Sequence, residues 1–224
     1  MPLSSTQVSL ILVAGGQGLR MNSPVPKQFM KLNGKLIILH SLESFTRLPC
    51  IKEIIIVCDP SYHHIFPKTD IPLKFAAPGL RRQDSVYNGF QLCSPTAELI
   101  CIHDSARPLI ASADVENVIR EALAHDAAVL ASPVTQTVKE ISSDGFVSRT
   151  LDRSALWEIQ TPQVITPTLL KAGFALAEKK KLTVTDDVSL VELLEKPVKI
   201  VKGSPRNLKI TNPPDLKIAE ALLS

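Results

Sequence analysis

Aromatic residues make up only 4% of this 224-residue sequence. So sparse a set argues against a base-stacking platform for single-stranded nucleic acid. A dominant sign of charge is also lacking. Lys and Arg number 25 against 22 Asp and Glu, a formal net charge of +3. That excludes a broadly basic nucleic-acid-binding face and leaves room for a local basic pocket that binds phosphates. The four cysteines, Cys50, Cys58, Cys93 and Cys101, form no CxxC pair and no Cys/His cluster with zinc-ligand spacing. Three lie in or beside apolar runs, as reduced, buried thiols of a cytoplasmic protein do. The first apolar run spans about six residues and has no basic segment before it, so neither a signal peptide nor a membrane span is read there. No internal repeat, low-complexity stretch or linker interrupts the chain.

What is present is ordinary globular material, 45% hydrophobic and 21% charged. At about 100–200 residues per domain, residues 1–224 form one large domain or two small ones, and one domain with an arm fits best. Such a chain buries roughly 70% of the surface it would expose unfolded and needs no disulfide or metal staple.

Short β-branched runs alternate with amphipathic stretches. Strands are predicted at Val8–Val13, Ile51–Cys58, Lys74–Ala77, Leu99–His103, Ala127–Ser132 and Val198–Val201. Helices are predicted at His40–Leu48, Asp84–Cys93, Asp114–His125, Pro167–Lys181, Asp187–Leu194 and Asp215–Leu222. This alternation implies a Rossmann-like α/β sandwich of three layers, with a mostly parallel sheet and helices on both faces. Ligands then bind at the carboxyl ends of the strands, where Gly15–Gly18, Asp104–Arg107 and Pro133–Thr137 fall. The alternation breaks at residues 134–153. There Val138–Ile141 and Phe146–Leu151 flank Ser142-Ser143-Asp144-Gly145, a hairpin signal. A hairpin inserted into an α/β sheet reads as a projecting arm.

The first strand runs into Ala14-Gly15-Gly16-Gln17-Gly18-Leu19-Arg20-Met21. Glycines after a strand let backbone N–H groups converge on an anion. The loop is not a Walker A loop, since GxxxxGK[ST] does not occur. It also fails the dinucleotide fingerprint, because Met21 stands where the third glycine belongs and the acid expected about 20 residues on is missing. What remains is a glycine loop with its own cation, Arg20, followed by Pro26-Lys27-Gln28. Two cations in one loop suit a triphosphate and a departing pyrophosphate.

The pattern GGxGxRM…PKQ resembles the N-terminal motif of the nucleotidyltransferases that make nucleoside diphosphate sugars and alcohols. The likeness is specific to the 2-C-methyl-D-erythritol 4-phosphate cytidylyltransferase family and covers nearly the whole chain. It includes Asp84-Ser85-Val86, His103-Asp104-Ser105-Ala106-Arg107-Pro108, Leu151-Asp152-Arg153, Leu156-Trp157, Thr161-Pro162-Gln163, Thr185-Asp186-Asp187 and Asn207-Leu208-Lys209-Ile210-Thr211. The resemblance implies the nucleotide-diphospho-sugar transferase type of fold, with a mixed, mostly parallel sheet. It implies transfer of CMP from CTP to methylerythritol phosphate, in isoprenoid precursor synthesis.

Roles follow from the same resemblance. Ala14, Gly15 and Gly16 match the triphosphate loop, and Arg20 and Lys27 match groups that stabilise the transition state. Gly79 and Ser85 match positions that read cytosine. Asp104, Ser105 and Arg107 match the wall between ribose and acceptor. Thr161 and Lys209 match acceptor contacts; Thr137, Arg153 and Thr185 match groups that hold the acceptor phosphate. Thr137 and Arg153 fall on or near the arm and would reach the other subunit's site, which implies a homodimer. Mg²⁺ is expected to be bound mainly through the CTP phosphates, with Asp104 the nearest carboxylate and no protein metal site. The sister enzymes that act on ribitol 5-phosphate are the alternative, favoured by Gly15-Gly16. A non-catalytic nucleotide-binding protein on the same scaffold would have lost some of Arg20, Lys27, Asp104 and Lys209, and all four are present. The sequence departs from the family's habits at Val13 and Gly15, at Leu80, where an acid is frequent, and at Ser105, where Ala is usual.

Other polar residues have plainer readings. His63-His64 is a surface pair, since adjacent residues face different ways. His103 packs or hydrogen-bonds locally. Lys179-Lys180-Lys181 is a solvated helix end, where cations suit the macrodipole. Trp157 suits a core position or the site equally. No Ser-His or Cys-His pair is evident, and a phosphate nucleophile needs none.

Overall fold

The structure is a computed structural model and describes residues 3–16, 18, 21 and 23–223. Arg20, assigned to the triphosphate loop above, lies outside the described residues.

The apolar run Val8–Val13 forms strand β1. A small hairpin of Lys31–Leu32 (β2) and Lys35–Leu36 (β3) leads into helix Ile37–Thr46 (α1). Strands Ile51–Val57 (β4) and Leu73–Ala76 (β5) follow, then helix Arg82–Phe90 (α2) and strand Leu99–Asp104 (β6). Helix Ser112–His125 (α3) and strand Ala127–Pro133 (β7) come next. Lys139–Ile141 (β8) and Val147–Thr150 (β9) form a separate exposed hairpin. The chain returns as Trp157–Ile165 (β10), followed by Pro167–Lys179 (α4), Ser189–Glu192 (α5), Lys199–Lys202 (β11) and Pro213–Leu223 (α6).

Seven strands make one sheet in the order β11-β7-β10-β6-β1-β4-β5, and only β10 runs antiparallel to its neighbours. Successive side chains on a strand point to opposite faces. Leu10 and Leu12 therefore pack with Leu42 and Phe45 of α1 and with Val115 and Ile119 of α3. Ile11, Ile55 and Ile102 face the other way, onto Val86 of α2, Leu170 and Phe174 of α4, and Leu190 of α5. Each fully buried side chain of this kind contributes about 1.5–3 kcal/mol. A third cluster, Met21, Leu32, Ile37, Ile210 and Ala219, joins α6 to the β2–β3 hairpin and seats the segment that carries Lys209.

Most expected elements occur within a few residues of their predicted bounds. The helix expected over Asp187–Leu194 is only the four-residue α5; ahead of it the N–H groups of Asp187 and Val188 donate to the side chain of Gln163. Strand β10 has no counterpart among the expected elements. Pro162 and two glutamines break its apolar pattern, and Pro normally argues against a central strand. The chain accommodates it at an irregularity between Ile159 and Gln163, where pairing with β7 shifts. Trp157 lies at the base of the arm with 37% of its surface exposed, so it is not a core anchor. His63 stacks on Phe75, and His64 is exposed. Cys50, Cys58 and Cys101 are buried free thiols, and Cys93 is half-buried. No helix among the described residues is long and apolar enough to cross a membrane.

Candidate active site

Strand β1 lies between β4 and β6, so connections leave the sheet in opposite directions at its carboxyl end. Such a switch point opens a crevice. Val13 pairs with Asp104 across β1 and β6, which sets the glycine loop beside Asp104. The crevice is a cavity of about 690 Å³. Ala14, Gly15, Gly16 and Lys27 line one side; Gly79, Ser85, Asp104, Ser105 and Lys209 line the rest. These nine residues, all expected from the sequence, thus meet in one place. A larger groove of about 890 Å³ lies between α2 and α4 over Tyr87, Phe90 and Phe174. It touches neither the glycine loop nor Asp104.

The loop is tightly framed. The Ala14 N–H donates to the Val57 carbonyl at 2.9 Å. Ser105 donates to the Val13 carbonyl through its N–H at 3.1 Å and its hydroxyl at 2.7 Å. A Cβ on Gly15 would stand 2.5 Å from Cβ of Pro78, and one on Gly79 would stand 2.4 Å from Cβ of Asp84. Both glycines are therefore required by close approach. Gly79 donates to the Ser85 hydroxyl at 2.9 Å, and that hydroxyl donates on to the Arg81 carbonyl at 3.2 Å. Leu80, beside them, is fully exposed. Lys27 Nζ donates to the Ile210 carbonyl at 2.6 Å.

Asp104 is the charged centre. Lys209 Nζ donates to its Oδ2 at 2.6 Å, and Arg82 donates to its Oδ1 through Nε and Nη2, both at 3.1 Å. The same guanidinium grips Asp187 through Nη1 and Nη2, both at 2.8 Å, a bidentate pair. Burial alone would raise the Asp104 pKa, but the charges of Arg82 and Lys209 outweigh it and hold the carboxyl far below the usual range. For Asp187 burial wins and raises the pKa, with Arg82 opposing it.

A hydrogen-bond relay fixes the backbone of Asp104. Its N–H donates to Thr161 Oγ1 at 3.1 Å. Thr161 Oγ1 lies 3.1 Å from His103 Nδ1, and His103 Nε2 lies 3.2 Å from the Arg107 carbonyl. A carbonyl only accepts, so Nε2 carries the proton and Nδ1 accepts from the threonine hydroxyl. His103 is fully buried and packs on Phe45 at 4.8 Å between ring centres. Burial pushes its pKa down from 6.5 to about 4. Thr161 thus faces inward, with its hydroxyl engaged as both donor and acceptor.

The remaining residues expected at the site lie outside the cavity lining. Arg107 donates to the Asn207 carbonyl at 2.8 Å, and its buried Nε has no partner. Thr185 is exposed on a turn before α5. Gln163 Oε1 anchors that turn by accepting from the N–H groups of Asp187 and Val188 at 2.8 and 2.9 Å. Gln83 Oε1 holds Val184 N–H at 2.9 Å. Thr137 and Arg153 are exposed at the arm, where Arg153 donates to the Thr135 carbonyl. Arg82, Asp187, Asn207 and Gln28 were not expected as functional positions, although all four stand inside or beside motifs quoted above. Arg82 and Asp187 are 105 residues apart, and nothing local pairs them.

The match to the family model described as 2-C-methyl-D-erythritol 4-phosphate cytidylyltransferase spans residues 8–224. A protein of that name, chloroplastic, from Oryza sativa subsp. japonica is 52% identical over 221 residues, covering 97% of this chain and 74% of the relative. One from Chlamydia pneumoniae is 45% identical over 215 residues, covering 96% and 98%. The crystal structure of the Thermus thermophilus protein of that name aligns with a TM-score of 0.82 at 31% identity, over 97% of this chain and 98% of that one.

Proposed function

The chain belongs to the 2-C-methyl-D-erythritol 4-phosphate cytidylyltransferase family, and from that premise we propose that it joins the CMP part of CTP to 2-C-methyl-D-erythritol 4-phosphate. The products are 4-diphosphocytidyl-2-C-methyl-D-erythritol and pyrophosphate. The observation that carries this reading is the meeting of the glycine loop with Lys27, Lys209 and Arg82 at one switch point.

An oxygen of the acceptor phosphate attacks the α-phosphorus of CTP. The new P–O bond replaces the bond to the β-phosphate's bridging oxygen, whose electron pair leaves with pyrophosphate. The nucleophile is already an anion, so no residue need remove a proton. Positioning and charge neutralisation do the work. Lys27, with Arg20 earlier in the same loop of the sequence, serves the triphosphate. Lys209, held on Asp104, serves the acceptor side. Asp104 stays ionised and keeps both Arg82 and Lys209 in place.

Mg²⁺ fits as a partner of the nucleotide, where it would neutralise charge on the phosphate oxygens. Among the described residues no group of three His, Cys, Asp or Glu could hold an ion. Asp104 is the one carboxylate among the described residues lining the cavity, and both its oxygens already accept from cations. On this reading the CTP phosphates mainly hold the ion, with Asp104 the nearest carboxylate.

Thr137 and Arg153 stand on the arm, away from the cavity of their own chain, while Ile141, Phe146 and Val147 expose apolar surface there. A homodimer in which each arm completes the neighbour's site accounts for both facts. Mixing Lys27→Ala and Arg153→Ala protomers tests it. Each alone is nearly inactive, whereas mixed dimers regain one intact site, roughly a quarter of wild-type activity after full exchange. No recovery removes the shared site. The free thiols fit a reducing compartment, the cytoplasm; the rice relative's name places that protein in the chloroplast.

Pyrophosphate release from CTP with Mg²⁺ tests the reaction itself, with methylerythritol 4-phosphate and ribitol 5-phosphate as rival acceptors. Release with the first alone is expected. Release only with ribitol phosphate would overturn the acceptor assignment.

A further inference from the structure

We infer that Gln28 is a positioning residue that holds the glycine loop in its anion-binding shape. The inference rests on reading that loop as the triphosphate site. Gln28 lies in a single 3-10 turn, Lys27–Phe29, and only 3% of its surface is exposed. Its amide nitrogen carries two hydrogens. It donates to the Ala14 carbonyl at 2.6 Å and to the Gly16 carbonyl at 2.8 Å. Both acceptors belong to the loop, on either side of Gly15.

The geometry matters because a trans peptide points its C=O and its N–H in opposite directions. Drawing the Ala14 carbonyl onto Gln28 turns the Gly15 N–H away from it. The same bonds keep two partly negative carbonyl oxygens engaged, where they would otherwise be free to oppose phosphate oxygens. The loop is thereby set before the anion arrives, which is how preorganised donors act most strongly. The same turn fixes Lys27, whose carbonyl accepts from Met30 N–H at 3.1 Å. One short turn thus supplies both a cation and the brace. A side-chain amide of this length offers two donors here. An ionised Glu has no donor, an apolar residue has none, and Asn is one methylene too short.

The test compares wild type with Gln28→Glu and Gln28→Leu. Calorimetry measures binding of inorganic triphosphate and of CTP between pH 5.5 and 8.5; thermal melts check folding; steady-state assays vary CTP and acceptor separately. Both variants are expected to bind triphosphate and CTP about 10- to 100-fold more weakly at pH 8, with the acceptor KM changed less than about two-fold. The pH profile separates positioning from mere structural support. A buried Glu at this place has a raised pKa, so acidification protonates it and restores one donor. The affinity ratio of Gln28→Glu to wild type should therefore climb toward one as pH falls, while that of Gln28→Leu stays flat. Protonation of the ligand itself cancels in the ratio. Unchanged triphosphate binding in both variants overturns the inference, as does a flat ratio for Gln28→Glu. If wild type binds triphosphate and Gln28→Glu shows the pH-dependent loss, yet CTP is not turned over, the brace stands and the cytidylyltransferase reading falls.

Discussion

Acidification should destabilise this protein through one buried imidazole. His103 is fully buried, accepts from the Thr161 hydroxyl at Nδ1, and donates to the Arg107 carbonyl from Nε2. Burial lowers its pKa from 6.5 to about 4. Between those values the unfolded chain binds a proton that the folded chain refuses, so stability falls as pH falls. The contribution is fully present above the unfolded value and is lost as pH drops toward 4. The whole shift corresponds to about 3 kcal/mol, of which about 2 kcal/mol is lost between pH 8 and pH 5. Against a total stability of roughly 5–15 kcal/mol, that is large. Urea unfolding at a series of pH values measures it. His103→Gln is the control, since an amide can accept from Thr161 and donate to Arg107 without titrating. The readout is the slope of stability against pH, not the variant's absolute stability. Wild type should lose about 2 kcal/mol more than the variant between pH 8 and pH 5. Equal losses in the two proteins would refute both the tautomer assignment and the buried neutral state.

Three further outcomes are expected. Thr161→Val leaves the Asp104 N–H and His103 Nδ1 without partners and should cost about 1–3 kcal/mol in unfolding free energy; Thr161→Ser, which keeps the hydroxyl, should recover most of it. Arg82→Gln strands the buried Asp187 carboxylate and should cost about 3–5 kcal/mol at pH 7. Asp187 already has a raised pKa, so in that variant it takes up a proton more readily than in the unfolded chain, and the deficit in urea melts should shrink as pH falls toward 5. Lys209→Ala removes a cation from the reacting region and should lower kcat/KM about 10²- to 10³-fold; it also leaves the buried Asp104 carboxylate with Arg82 as its remaining ion-pair partner, so the melting temperature should fall in thermal melts.

The helices and strands that pack on the sheet repeat their apolar residues at a local period, and that is why they were legible along the chain. Residues 54–57 are one β-branched run, and α3 carries Val115, Val118, Ile119 and Ala122 at helical spacing. The glycine loop, the Asp-Gly hairpin and the cations near the loop were legible for the same reason, since each is a short string with its own backbone or charge logic. Strand β10 was not, because Pro162 and its glutamines erase the period, and its place depends on β6 and β7 offering partners on both sides. The polar framework was also hidden. Arg82 is an ordinary charge near an exposed Leu80 until folding sets it between Asp104 and Asp187. Thr161 becomes a support for Asp104 only because β10 lies beside β6, 57 residues away in sequence. Periodicity and short motifs thus determine the layered α/β architecture and the glycine loop, and the motifs carry the family resemblance, since each depends on neighbours in the chain. Which carboxylate is held by which cation, which histidine is kept neutral and which amide braces the loop depend on groups brought together across the sheet, and only the packed tertiary structure decides them.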